Sequence, residues 1–220
     1  MNISIKDILY RVRFFFIPYL ILLSTSLVIK MIYKREDIYF AVNSFHNTFT
    51  DWIAPYITDM GEGLTIVILS VIIALYNYRK AFLLLTSYAV TAIMAQLIKH
   101  LINAPRPKLY FAAQLKRMYF VKGVEIYSYN SFPSGHTVSA FSAAVVLTYL
   151  VKNKSWGLAF LIAAILVGYS RMYLSEHFFE DVIAGSVLGV ILTVIWLYFL
   201  ERKQFMQGDK WDRGLLRRNN

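Results

Sequence analysis

Cysteine is absent from this chain, and charge is scarce. With no thiol there are no disulfides, no thiolate nucleophile and no cysteine-held zinc or iron–sulfur centre. Asp, Glu, Lys and Arg make up 16% of the 220 residues, against about 25% in soluble domains. Acid is the scarcer sign: 13 Asp and Glu stand against 23 Lys and Arg, for a formal charge of +10. No linker and no internal repeat divides the sequence. What is abundant is apolar: 58% of residues are hydrophobic and the mean hydropathy is +0.50. One membrane domain accounts for both deviations. The basic surplus sits in short segments beside apolar runs, without a continuous basic tract interleaved with aromatics. That pattern fits anionic lipid headgroups, with no nucleic acid as partner.

Six apolar segments lie at about residues 14–33, 63–78, 81–98, 137–151, 156–170 and 182–200. They set the expected fold, an all-α, integral-membrane six-helix bundle, because a backbone inside lipid must satisfy its own hydrogen bonds. Spanning takes roughly 17–25 residues, so the second, fourth and fifth segments reach that length only with their polar flanks. Continuous runs of this kind exclude a barrel of alternating strands about ten residues long. The basic, then apolar, N-terminus lacks a small-residue cleavage site and reads as a retained first helix. Residues 1–203 are expected to form the membrane domain, with an interfacial segment at 34–61 and an outer connection at 103–136. Residues 204–220 are expected to be a loosely ordered, charged cytoplasmic tail. The connection 103–136 is rich in Tyr and Phe and reads as a lid, an entrance or an interfacial cover.

Basic residues set the orientation. Lys6, Arg11 and Arg13 precede the first helix, Arg79 and Lys80 lie between the second and third, and Lys152 and Lys154 lie between the fourth and fifth. Arg202, Lys203, Lys210, Arg213, Arg217 and Arg218 follow the sixth. All fall on one side of a six-helix arrangement, which places both termini in the cytoplasm.

Three polar clusters interrupt the apolar chain, and each falls on the opposite, outer side. In the first, Lys99 ends the third helix and Arg106 follows between Pro105 and Pro107. An arginine forks across two phosphate oxygens and a lysine adds a compact charge. In the second, Pro133-Ser134-Gly135-His136 opens the fourth helix. Free N–H groups at a helix N-terminus hold anions, and Gly135 lets the backbone approach closely. In the third, Arg171 follows Ser170 at the end of the fifth helix, and His177 and Asp181 are four positions apart. A helix beginning near His177 would place both on one face, where the carboxylate fixes the imidazole tautomer and leaves the other nitrogen free to attack. Glu176 and Glu180 read as solvated caps near that helix start. A metal held by His136, His177 and Asp181 is disfavoured, because Lys99, Arg106 and Arg171 would surround it with like charge.

In combination, the clusters resemble the type 2 phosphatidic acid phosphatase superfamily. Its first motif appears as KHLINAPRP from Lys99 to Pro107, its second as PSGH from Pro133 to His136, and its third as SRMYLSEHFFED from Ser170 to Asp181. The resemblance implies a bacterial integral-membrane lipid phosphatase working by two-step phosphoryl transfer, without metal or other cofactor. It implies His177 as nucleophile, Asp181 as its orienting carboxylate and His136 as the acid and base at the leaving oxygen and water. Lys99, Arg106, Ser134, the Gly135 amide and Arg171 would hold the phosphoryl oxygens. The expected partners are a lipid phosphate or pyrophosphate and the bilayer, with the site on the outer face of the inner membrane.

Compact size favours undecaprenyl pyrophosphate among the family's substrates, with lipid A, phosphatidylglycerol phosphate and phosphatidic acid as alternatives. A transporter or a non-catalytic lipid-binding protein is the competing class. The few ionisable residues at the centres of the apolar runs weigh against a transport path.

Overall fold

The structure, a computed structural model, describes residues 3–216. Their regular structure is helical, with no strand among the described residues. In chain order the α-helices are α1 (Ile5–Arg11), α2 (Arg13–Ile32), α3 (Arg35–Ser44), α4 (Thr48–Asp59), α5 (Gly63–Ala74), α6 (Tyr78–Ile102), α7 (Pro107–Tyr110), α8 (Gly135–Leu150), α9 (Trp156–Tyr173) and α10 (Phe179–Glu201). All six apolar runs are therefore helical.

Length and apolar composition qualify four helices to cross a bilayer: α2, α6 (with the residues that follow it), α9 and α10. The pair α4 and α5, bent by 57°, makes a fifth if it is one broken span. By this measure of length and composition the tally stops at five among the described residues, because α8 has only 16 residues. Its role explains its length. Val138, Phe141, Val145 and Val146 are buried, and α8 packs against α6, α9 and α10 at the centre of the bundle. The outer helices present apolar side chains to the surroundings instead. On α10, Ile191, Ile195 and Phe199 recur every fourth position and are all exposed, a stripe suited to lipid rather than water.

Small residues let α8 and α10 touch. A Cβ at Gly189 of α10 would lie 2.6 Å from the Val138 carbonyl oxygen of α8, and one at Gly185 would lie 2.8 Å from the Ser134 carbonyl oxygen. Gly185 and Gly189 form the small-xxx-small pattern of close membrane-helix packing. That approach sets the start of α8 against the start of α10.

Arg11, Arg79 and Lys154, three of the basic residues that set the expected orientation, lie at one end of the bundle. Arg11 donates to the Tyr149 hydroxyl at the end of α8, Lys154 donates to the Thr148 and Tyr149 carbonyls, and Arg79 pairs with buried Glu201. The tail is not loose through Leu216. Met206 is buried, Trp211 packs on Phe82, and the Tyr78 amide donates to the Arg213 carbonyl at 2.7 Å. Apolar side chains within the charged segment dock it there. Arg217 and Arg218 lie outside the described residues.

The opposite end carries the polar clusters. Lys99 stands 21 residues along α6 from Tyr78, about 31 Å at helical rise. Segment 34–61 forms α3 and α4, while 103–136 is held down over this end. Asn43 of α3 exchanges two 2.8 Å hydrogen bonds with the Tyr119 backbone. Tyr119 and Tyr173 both donate to Asp51 of α4. The two ends of the segment pair with each other, Arg106 N to Ser128 O at 2.9 Å and Ser131 N to Ala104 O at 3.0 Å.

Candidate active site

Asp181 lies at the centre of this end. It sits in the first turn of α10, and its Oδ2 accepts from the Phe178 amide at 2.8 Å and the Ser131 hydroxyl at 2.6 Å. Its carbonyl accepts from the Ser134 amide at 3.0 Å. These bonds join the second and third motifs directly.

His177 lies outside the helix, since α10 begins at Phe179. Its nearness to Asp181 therefore comes from the capped turn rather than from a shared helical face. Nδ1 is 3.5 Å from Asp181 Oδ2 and is buried without a hydrogen-bond partner. That distance is long for a hydrogen bond, and catalytic contacts commonly tighten only with substrate. The ring is 1% exposed. Burial, followed by the charges of Arg171, Arg106 and Lys99, holds its pKa well below the usual histidine value. A neutral imidazole is the form that can act as a nucleophile.

Ser134 is the N-cap of α8, but its Oγ accepts from the Thr137 hydroxyl at 2.8 Å and caps no backbone amide. The opening N–H groups of a helix have no partner of their own, which leaves this terminus electropositive and suited to an anion. Lys99 reaches the same place: its Nζ is 3.4 Å from where a Cβ on Gly135 would be. His136, half-buried, follows in the first turn of α8.

The two arginines meet on one acid. Arg106 and Arg171 both pair with Glu176, the second at 3.3 Å. The reading of Glu176 as a solvated cap is overturned, because it is 1% exposed and neutralises cations gathered in the interior. Glu180 is not free either, since it pairs with Lys30 and Arg35. Each arginine has a second anchor. Arg106 Nε donates to the Tyr129 carbonyl at 2.9 Å, and Arg171 Nη1 donates to the Thr58 hydroxyl at 2.9 Å. Arg171 Nε is buried with no partner.

The structure thus brings all eight sequence-derived candidates to one end of the bundle: Lys99, Arg106, Ser134, Gly135, His136, Arg171, His177 and Asp181. Sequence reasoning missed Ser131, Thr58 and the pairing of Glu176. Ser131 and Thr58 carry no local pattern, and Glu176 looks like any acid before a helix. Among the described residues, no three His, Asp or Glu side chains group as metal ligands.

A buried imidazole beside a carboxylate, three cations and an uncapped helix N-terminus are thus gathered at one end of the bundle, an arrangement suited to an anion such as phosphate. The chain belongs to the PAP2 superfamily, which matches residues 80–205, and is a PAP2-type membrane phosphatase. It is 33% identical over 166 residues to phosphatidylglycerophosphatase B of Bacillus subtilis (strain 168), covering 69% of this chain and 76% of that one. It is 28% identical over 202 residues to an undecaprenyl-diphosphatase of Sulfolobus acidocaldarius, covering 86% and 90%. The crystal structure of Aquifex aeolicus LpxE superposes with a TM-score of 0.64 at 25% identity, over 73% of this chain and 93% of that chain.

Proposed function

We propose that the chain removes the terminal phosphate from a lipid phosphate or pyrophosphate, foremost undecaprenyl pyrophosphate to undecaprenyl phosphate. The observation that carries this is the meeting of His177 and Asp181 with Lys99, Arg106 and Arg171 beside the start of α8. The undecaprenyl reading is supported by the archaeal relative that aligns over 86% of this chain. A second reading, phosphatidylglycerol phosphate, is favoured by the higher identity to the Bacillus enzyme.

In this mechanism Asp181 holds the imidazole at Nδ1, so Nε2 attacks phosphorus. As the N–P bond forms, the bond to the leaving oxygen breaks and His136 gives that oxygen its proton. Water then attacks the phosphohistidine while His136 takes the water's proton. Orthophosphate leaves and the imidazole is restored. Lys99, Arg106, Arg171, Ser134 and the Gly135 amide hold the phosphoryl oxygens, where charge must be stabilised through transfer. The protein crosses the bacterial inner membrane six times in this reading, with α4–α5 as one bent crossing, α8 as the shortest and both termini cytoplasmic. The site then faces the periplasm or exterior.

A phosphate-release panel tests the proposal. Purified protein is given undecaprenyl pyrophosphate, phosphatidylglycerol phosphate, phosphatidic acid and phosphorylated lipid A in mixed micelles, with H177A as the blank. At least one lipid should release phosphate, undecaprenyl pyrophosphate fastest. Faster release from phosphatidylglycerol phosphate would transfer the assignment to the second reading, and no release from any of the four would refute both.

A further inference from the structure

Glu176 occupies a place that the proposed chemistry reserves for substrate. Its carboxylate bridges Arg106 and Arg171, the two guanidinium groups assigned to phosphoryl oxygens. A carboxylate offers such forks two anionic oxygens, as a phosphate does. Leaving the histidines aside, Lys99, Arg106, Arg171, Asp181 and Glu176 give the site three positive charges and two negative. Removing the Glu176 charge would leave three against one.

The arginines do not depend on Glu176 alone for their positions. The Tyr129 carbonyl holds Arg106 and the Thr58 hydroxyl holds Arg171. Arg171 Nε is a buried donor with no partner. An arriving phosphate can therefore find both guanidinium groups in place and must contend with the acid already on them. The backbone fixes that acid, because the Glu176 amide donates to the Arg171 carbonyl at 3.0 Å.

We infer that Glu176 is a tethered counter-anion that competes with phosphate for Arg106 and Arg171 and so weakens the hold on released orthophosphate. The inference rests on the proposed function for the identity of the product, although the competition itself requires only the two arginines. Glu176 is thus a positioning residue that acts through the arginines, relieving their mutual repulsion in the empty site and easing product release.

The test is orthophosphate binding to purified protein, measured without turnover as the rise in unfolding temperature with added orthophosphate. E176Q keeps the side-chain shape and removes the charge. Its orthophosphate affinity should rise on the order of tenfold, the size expected for removing one nearby opposing charge in a partly dehydrated site. On an active lipid, KM should fall and orthophosphate should inhibit more strongly, with no gain in kcat. E176D, one methylene shorter, retracts the carboxylate and should fall between wild type and E176Q. If E176Q is not recovered folded, E176D must still shift in the same direction. Unchanged or weaker orthophosphate binding in either folded variant overturns the inference, and weaker binding would make Glu176 a purely structural brace. Protein that turns over no lipid yet shows the tightened binding would refute the proposed function and leave this inference standing.

Discussion

At the residue scale, the two histidines differ in surroundings and therefore in expected work. His177 is sealed in beside Asp181, while His136 stands half-buried at the mouth of α8. A general acid matters most when the leaving oxygen is a poor one, and typically contributes about 10²–10⁴-fold. H136A should lose on that order in first-turnover leaving-group release from a lipid phosphate. It should lose far less with an aryl phosphate whose leaving group departs unaided, whereas H177A should lose release from both. Equal impairment of H136A on the two substrates would contradict the acid role. These two residues, Asp181, the three cations and the Ser134-Gly135 pair were legible in the sequence because their spacing is a motif. Glu176 was not, since nothing local distinguishes a carboxylate turned inward onto arginines from one facing solvent. Ser131 and Thr58 were hidden for a related reason, because each touches a residue 50 or more positions away.

At the scale of elements, the apolar runs located every long helix, and the differences arise where burial replaces lipid contact. α8 is short because it is a core helix with neighbours around it. Charge marked residues 204–216 as a tail, yet Met206 and Trp211 fasten them to the bundle. The contact between α8 and α10 sets the distance from the second motif to the third. G189L would drive side-chain atoms into the Val138 carbonyl, and overpacking of this kind typically costs about 1–3 kcal/mol. The variant should unfold at lower temperature in detergent and lose turnover, as Ser134 and Asp181 separate. The lipid-facing I195L should change neither. Wild-type stability and activity in G189L would show that the close approach is dispensable.

At the scale of the whole molecule, the separation of basic end from polar end is the feature that hydropathy and charge together anticipated. It did not specify which helices pack centrally, because that depends on glycine contacts rather than on hydropathy. The absence of native cysteine makes the proposed orientation directly testable. K116C, at an exposed position over the site, should react with a membrane-impermeant maleimide in intact cells. K152C, exposed at the opposite end, should react only after permeabilisation. The reverse pattern would invert the topology and place the site toward the cytoplasm.

The central claim is that His177 carries the phosphoryl group between lipid and water. The phosphate-release panel tests it most directly when the best lipid is labelled in its terminal phosphate and turnover is quenched with alkali. Wild-type protein should release labelled orthophosphate and retain acid-labile, alkali-stable label that maps to His177, and H177A should show neither. Full release of phosphate by H177A, or turnover by wild type with label on a different residue, would contradict the account.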